Sequence, residues 1–252
     1  MKQNYRFEIS YDGTRYLGWE HQPGTDMTIQ GKIERVLSKM VGIPDDEPPV
    51  EILCAGRTDA GVHALCMVAN AKFETELSED EIRDYMNRYL PDDICINEVK
   101  IAGERFHARY NAIGKTYRYT CYGGKRKPVF DRKYVYTLDG MPDIEKMKKA
   151  ASYLVGEHDF AAFCANPRMK KSTVRNVDMI DIVKKDDYVI FTYHGSGFLQ
   201  HMVRILTGTL LEVGFDKRSP ENMLELLERG DRKEAGVTAP AQGLTMVKVD
   251  YH

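Results

Sequence analysis

The chain has 252 residues, 42% of them hydrophobic and 29% charged, which is an ordinary composition for a globular protein with a buried core. No apolar run reaches membrane-spanning length and no apolar signal core follows the N-terminus, so we expect a cytoplasmic protein without a membrane partner. The five cysteines are odd in number and form no CxxC pair, which argues against a disulfide framework or a zinc site.

Charge is unevenly distributed along the chain. The formal net charge of -2 does not by itself suggest a nucleic-acid partner. However, basic residues cluster at Lys125-Arg126-Lys127 and from Arg168 to Arg175, whereas acidic residues collect elsewhere, as between Glu221 and Glu228. A protein with one basic face can bind RNA while staying close to neutral. For any single cluster, ordinary solvated surface charge is the alternative.

Predicted strands and helices alternate through the first half. Apolar side chains at every second position of residues 4–11 predict a half-buried strand, and spacings of three and four residues from Ile29 to Met40 predict a helix. Ser78 and Glu81 form a capping box. In chain order we expect a strand at 4–11, a helix at 29–40, strands at 50–55 and 64–73, a helix after Ser78 and a strand at 94–101.

The second half has the same rhythm without sequence repetition. We expect a strand at 115–122, a helix at 144–155, strands at 174–183 and 188–193, an apolar helix at 199–213, a short acidic helix after Pro220 and a strand at 247–251. This pattern predicts an α+β fold in which helices flank a mostly antiparallel sheet. We expect two similar fused subdomains, residues 1–105 and 106–252.

One segment, between Gly56 and Gly61, combines unusual residues. The glycines permit uncommon backbone angles or close approach of a ligand. Arg57 and Asp59 point the same way if the backbone between them is extended. The alternative is a plain turn in which Thr58 and Asp59 bond to nearby backbone. Spacing alone slightly favours the turn.

The run Ala55-Gly56-Arg57-Thr58-Asp59-Ala60-Gly61-Val62-His63 resembles the signature of the tRNA pseudouridine synthase A family. Six further segments resemble this family in order and spacing, so the resemblance covers essentially the whole chain. They are Tyr11-Asp12-Gly13 with Gly18-Trp19, Phe106-His107-Ala108-Arg109, Lys115-Thr116-Tyr117-Arg118-Tyr119, Gly156-Glu157-His158-Asp159-Phe160, Gly197-Phe198-Leu199-Gln200-His201-Met202-Val203-Arg204, and Pro240-Ala241-Gln242-Gly243-Leu244. One departure is Glu20, where the family usually has glutamine; it concerns a local RNA contact rather than the chemistry.

The resemblance implies a pseudouridine synthase fold and an enzyme that isomerises uridine to pseudouridine. The family acts on nucleotides 38, 39 and 40 of the tRNA anticodon arm, as a homodimer. Since the reaction gains no atoms, we expect no cofactor and no metal. On this reading residues 1–105 carry the catalytic aspartate loop, and residues 106–252 complete the active-site cleft.

The resemblance also assigns roles to individual residues. Asp59 is the catalytic carboxylate, which attacks C1′ of the ribose or removes a sugar proton. Arg204 lies beside it and opposes the rise in pKa that desolvation causes. Its apolar neighbours in the predicted helix also indicate a partnered arginine rather than a surface charge.

The remaining predicted residues bind the RNA. Tyr117 stacks on a flipped-out uridine, and its hydroxyl is a candidate for handling a proton at C5. Leu244 forms an apolar wall for the base, and Arg57 fills the space that the base leaves or holds a phosphate. The predicted phosphate contacts are Lys125, Arg126, Lys127 and Arg168.

Two histidines and three other functions complete the predictions. His63 and His201 have no carboxylate or cysteine at metal-ligand spacing, so we expect structural roles for both. The alternatives are a pseudouridine synthase with another RNA site, a catalytically silent RNA-binding α+β module, and an unrelated hydrolase with Asp59 as its nucleophile.

Overall fold

The computed structural model describes residues 2–44, 46–166 and 169–252. The chain forms two compact units. The first unit comprises the chain up to Ile113 together with Met246–His252, and the second comprises Gly114–Thr245. The division into residues 1–105 and 106–252 stays a prediction. That the end of the chain belongs to the first unit was not apparent from sequence order.

The first unit is built around an antiparallel sheet. Its elements are β1 (Gln3–Tyr11), α1 (Ile29–Met40), β2 (Ile52–Cys54), β3 (His63–Phe73), α2 (Glu79–Tyr89) and β4 (Ile94–Ile101). Strand β1 pairs antiparallel with β3 and β4, and β2 pairs antiparallel with β3. The predicted alternation holds in β1, where Tyr5, Phe7, Ile9 and Tyr11 are buried.

Local signals fix the two helices of this unit. The Thr28 side chain accepts a hydrogen bond from the Gly31 amide at the start of α1. At the start of α2, Ser78 and Glu81 form the predicted capping box. Ile33 and Leu37 of α1, with Ile82 and Met86 of α2, are fully buried. Burying these apolar faces is the main stabilisation of each helix.

The second unit repeats this arrangement with different lengths. Its elements are β5 (Gly114–Tyr122), β6 (Tyr136–Thr137), α3 (Ile144–Ser152), β7 (Gly156–Asp159), β8 (Val174–Lys185), β9 (Tyr188–Gly195), α4 (Met202–Gly214) and α5 (Asn222–Arg229). Strands β5, β9, β8 and β7 are neighbours in that order, with antiparallel pairing throughout. The short β6 pairs parallel with β5.

The last strand, β10 (Leu244–Asp250), returns the chain to the first unit, where it lies next to β3. The Ile113 amide donates to the Asp250 carbonyl (2.9 Å), and the Tyr251 hydroxyl donates to the Ala108 carbonyl (2.6 Å). These bonds attach the C-terminus to the segment that ends the first unit. The predicted α+β fold with a mostly antiparallel sheet is therefore confirmed.

The long apolar helix starts later than predicted. Helix α4 begins at Met202 rather than at 199, because His201 has φ 59°, a left-handed conformation that a helix cannot contain. Before it, the Met202 amide donates to the Leu199 carbonyl and closes a tight turn. Leu199 is nevertheless buried, so its apolar character misleads a reading based on periodicity.

Candidate active site

The candidate catalytic residue lies in a short loop between β2 and β3, the Asp59 loop (residues 56–61). The Ala55 amide donates to the Val68 carbonyl (2.8 Å) and fixes the start of the loop. The Val62 amide donates to the Asp59 carbonyl (3.2 Å), and Gly61 takes φ 78° to complete the turn. Asp59 is half-buried. The loop thus presents a partly desolvated carboxylate on a fixed backbone.

A second segment, the clamp segment (residues 11–19), holds the Asp59 loop in place. The Trp19 amide donates to the Thr58 carbonyl at 3.0 Å, and the Gly61 amide donates to the Tyr16 carbonyl at 3.3 Å. The Tyr11 hydroxyl and the Thr58 hydroxyl are hydrogen-bonded at 2.7 Å. Thr58, next to Asp59, is therefore fixed through both its backbone and its side chain.

The clamp segment is itself anchored by buried aromatic rings. Tyr16 and Trp19 are almost fully buried. The Tyr16 hydroxyl donates to Asp93 at 2.5 Å, and burial together with this bond raises the pKa of Tyr16 to about 12. Tyr16 consequently remains a hydrogen-bond donor at neutral pH. The support of the Asp59 loop is rigid because it is part of the core of the first unit.

Two glycines let the clamp segment approach closely. A Cβ on Gly13 would lie 2.0 Å from the Val62 carbonyl oxygen, and a Cβ on Gly18 would lie 2.8 Å from the Thr58 carbonyl oxygen. Gly18 also has φ 105°. The Gly13 amide donates to Nδ1 of His63 (3.0 Å), so His63 contributes to the support of the loop. The motifs at residues 11–13 and 18–19 accordingly have a structural reason to accompany the Asp59 signature.

We predict that Gly18→Ala destabilises the protein and impairs turnover more than tRNA binding. Positive φ and the contact with Thr58 together should cost about 2–4 kcal/mol of unfolding free energy. Gly24 is a matched control, since it has φ 79° but no heavy atom lies within 4 Å of the place that a Cβ would take. Gly24→Ala should cost about 1 kcal/mol. Urea unfolding of both variants measures the difference, and equal costs would exclude a tight contact between Gly18 and the Asp59 loop.

Arg57 is the exposed member of the Asp59 loop. Its Nη1 contacts both carboxylate oxygens of Glu20, at 2.8 and 2.7 Å. Both side chains are more than half exposed, and such an ion pair contributes only about 0–1 kcal/mol. A phosphate can therefore take the place of the Glu20 carboxylate at little cost. Glu20, the departure from the family pattern, thus bears directly on Arg57.

Arg204 lies in the first turn of α4 in the second unit. Its Nε donates to the Ala239 carbonyl (2.8 Å), and the Ala239 amide donates back to the Arg204 carbonyl (3.1 Å). The side chain is half-buried, between the buried residues Val203 and Ile205. This arrangement fixes the guanidinium group and does not fit a plain surface charge.

The other predicted residues of the second unit lie near its core. Tyr117 is 8% exposed and packs edge-on against Phe198, with ring centroids 5.3 Å apart. Tyr119 is the core tyrosine that we expected, and its hydroxyl donates to the Pro240 carbonyl (2.6 Å). A Cβ on Gly243 would lie 2.6 Å from the Tyr119 ring, so a glycine is required before the buried Leu244.

The predicted site residues divide between the two units. Asp59 and Arg57 belong to the first unit, and Arg204, Tyr117, Leu244 and the exposed Lys125, Arg126 and Lys127 belong to the second. The proximity of Asp59 to Arg204 stays a prediction. Arg168 lies outside the described residues. Sequence reasoning gave no role to Thr58 and Tyr16, since only long-range contacts reveal their part in the support of Asp59.

Two kinds of feature are absent from the described ranges 2–44, 46–166 and 169–252. Within them, no helix has the length and apolar character that crossing a bilayer requires. No group of three or more histidine, cysteine, aspartate or glutamate side chains is placed to hold a metal ion there.

Comparison with known proteins gives the class of the chain. The family model described as tRNA pseudouridine synthase matches residues 9–111 and again residues 150–252. The class is therefore that of isomerases that make pseudouridine in tRNA. The two matches also agree with two similar subdomains.

Curated relatives give the particular family. Over 98% of its length the chain is 44% identical to a tRNA pseudouridine synthase A from Bacillus sp. (strain KSM-64), of which it covers 99%. It is 46% identical to a tRNA pseudouridine synthase A from Geotalea uraniireducens, over 96% of this chain and 97% of that one. A relative from Bacillus cereus, named tRNA pseudouridine synthase A 2, is 42% identical over 98% of this chain and 99% of its own. The chain belongs to the tRNA pseudouridine synthase A family, and the predicted class of enzyme is confirmed.

Proposed function

We propose that this chain isomerises uridine to pseudouridine at positions 38, 39 and 40 of the tRNA anticodon arm, with Asp59 as its catalytic carboxylate. The observation that carries the proposal is the position of Asp59. It is half-buried in a loop that the clamp segment fixes through Thr58 and Gly61, within the run that resembles the family signature. So rigid a support is what a carboxylate needs for aligned attack on a sugar.

The reaction conserves every atom of the nucleotide. The N1–C1′ bond breaks, the base rotates, and a C5–C1′ bond forms. C5 then loses its hydrogen to solvent and N1 takes up a proton, so no oxidant, reductant or group donor is consumed. Asp59 acts by attack at C1′ or by removal of a ribose proton, and both routes require the ionised carboxylate.

Four other side chains serve this reaction in our proposal. Arg204, fixed by its bonds to Ala239, favours the charged form of Asp59. Tyr117 stacks on the flipped-out base, and Leu244 forms its apolar wall. Arg57 exchanges Glu20 for a phosphate or occupies the space that the base leaves.

The tRNA backbone is bound by exposed cations of the second unit, Lys125, Arg126 and Lys127. Such contacts are blind to sequence, and recognition of RNA helices depends mainly on shape. This suits an enzyme that modifies three neighbouring nucleotides. Arg168 is also proposed as a phosphate contact.

We predict that alanine at positions 125, 126 and 127 together lowers the salt dependence of tRNA binding. Each lost phosphate contact removes a released counterion, so the slope of log K against log salt should become shallower by about 2–3. Filter binding between low and moderate salt measures the slope. A slope equal to that of the wild type would remove these residues from the tRNA footprint.

We further propose that the protein is a cytoplasmic homodimer, as the resemblance and the composition imply. Sedimentation of the pure protein at micromolar concentration tests the dimer. The expected mass is twice that of one chain, and a single-chain mass across the concentration range would contradict it.

Site choice is tested with tRNA transcripts that keep only one uridine of the anticodon arm, at position 38, 39 or 40. Tritium at C5 of that uridine is released as pseudouridine forms, so its release measures the reaction. We expect release from all three transcripts and none when the uridine stands elsewhere in the arm. Release confined to a different position would replace the proposed site with that position.

A further inference from the structure

The loop between β5 and β6, the basic loop (residues 123–135), is unusual in charge. Five of its residues are basic and one, Asp131, is acidic. All five basic side chains, Lys125, Arg126, Lys127, Arg132 and Lys133, are exposed. The loop therefore forms a concentrated positive surface on the second unit, suited to a polyanion.

An aromatic side chain is exposed among these charges. Phe130 is 91% exposed, and the adjacent Val129 is 59% exposed. Burying a phenylalanine contributes about 1.5–3 kcal/mol, which this position forgoes in the isolated chain. Exposed apolar side chains within a polar rim are typical of binding surfaces. The ring is thus available to a partner of the folded protein.

The backbone on both sides of Phe130 is held in place. The Tyr188 hydroxyl, from β9, donates to Asp131 at 2.5 Å, and the Tyr134 amide donates to the Asp131 carbonyl at 2.7 Å. Nη1 of Arg132 donates to the Val129 carbonyl at 2.5 Å. The ring of Tyr188 packs edge-on against Tyr122, with centroids 5.1 Å apart.

This anchoring persists at working pH. The hydrogen bond to Asp131 is the main cause that raises the pKa of Tyr188 to about 12, so Tyr188 stays a donor. Since Asp131 is engaged with Tyr188, the one acidic side chain of the loop is turned to the protein. Phe130 is therefore displayed from a preformed loop, which lowers the ordering cost of binding.

We propose that Phe130 is a base-stacking contact, whose ring lies on the face of an unpaired nucleobase of bound tRNA while the neighbouring cations hold the flanking phosphates. The proposal rests on the proposed function, in that the polyanion is tRNA. An aromatic ring among cations is the pattern by which proteins bind unpaired nucleotides. A second copy that met this loop with its own basic loop would bring five like charges together on each side, which disfavours such a contact.

Phe130→Ala is the test variant, measured by tRNA binding across a salt series. We expect Kd to rise about five- to a hundredfold, because stacking on one base is worth about 1–3 kcal/mol. The salt slope should not change, since no charge is lost, and Phe130→Tyr should bind as the wild type does. Leu224→Ala is the matched control, because Leu224 is 50% exposed on α5 among acidic residues. It should leave Kd unchanged.

Photocrosslinking identifies the partner of this position directly. With p-benzoylphenylalanine in place of Phe130, irradiation with tRNA should give a protein–tRNA adduct. A covalent protein dimer instead, or a Phe130→Ala variant that binds tRNA as tightly as the wild type, would overturn the stacking proposal. If the wild type binds tRNA without forming pseudouridine, the proposed function fails while the stacking test still stands. If the wild type binds no tRNA, both fail.

Discussion

Asp59→Asn is expected to reduce pseudouridine formation by at least about a thousandfold, because residues that act in the chemical step have effects of this size or larger. Asparagine has nearly the same shape, so the bonds of Thr58 and Gly61 to the clamp segment should persist. The amide has no negative charge, and it neither attacks C1′ efficiently nor removes a proton. Fold and tRNA affinity should therefore stay close to those of the wild type.

Single-turnover release of tritium from C5-labelled tRNA measures this loss apart from binding. Asp80→Asn is the control, since Asp80 has a side chain that is 81% exposed on the first turn of α2. The control should react at the wild-type rate. An Asp59→Asn enzyme that also reacts at that rate would leave the non-catalytic roles of the loop as the better interpretation.

Arg204→Ala should lower the single-turnover rate by about a hundred- to a thousandfold, the range seen when one preorganised donor is lost from an active site. The cause is the loss of a cation whose proposed role is to favour ionised Asp59. Arg204→Lys keeps the charge but loses the Nε bond to Ala239, so it should recover only part of the rate. Affinity for tRNA should change by less than about threefold.

Two comparisons separate this role from a structural one. Arg218→Ala removes another partly buried arginine of the same unit, paired with Glu212 at 2.8 Å, and should affect stability rather than the chemical step. In the double variant, Arg204→Ala should add little to the loss from Asp59→Asn if both act on one step. Equal losses of affinity and turnover in Arg204→Ala would contradict the proposed role.

Local sequence patterns predicted the longer elements because their signals are local. The period-two alternation of residues 4–11 and the capping box at Ser78 are properties of consecutive residues, and both appear in the structure. The strands β6 and β7 were not predicted, since two and four residues are too few to display a period. The start of α4 was missed because an unfavourable backbone angle at His201 leaves no mark in hydropathy.

The candidate site shows the same division. The signature run identified Asp59, yet nothing in its spacing indicated that Trp19 and Tyr11 would hold Thr58. These bonds join residues about forty positions apart, and only the fold brings them together. The ion pair of Arg57 with Glu20, 37 positions apart, was equally hidden.

The central claim is that this chain makes pseudouridine in the anticodon arm with the Asp59 carboxylate. The most direct test is a nucleotide-resolution map of pseudouridine in unmodified tRNA after incubation with the wild type and, separately, with Asp59→Asn. We predict pseudouridine at positions 38, 39 and 40 with the wild type and at none of them with the variant. A map without pseudouridine at these positions for the wild type, or an unchanged map for the variant, would contradict the claim.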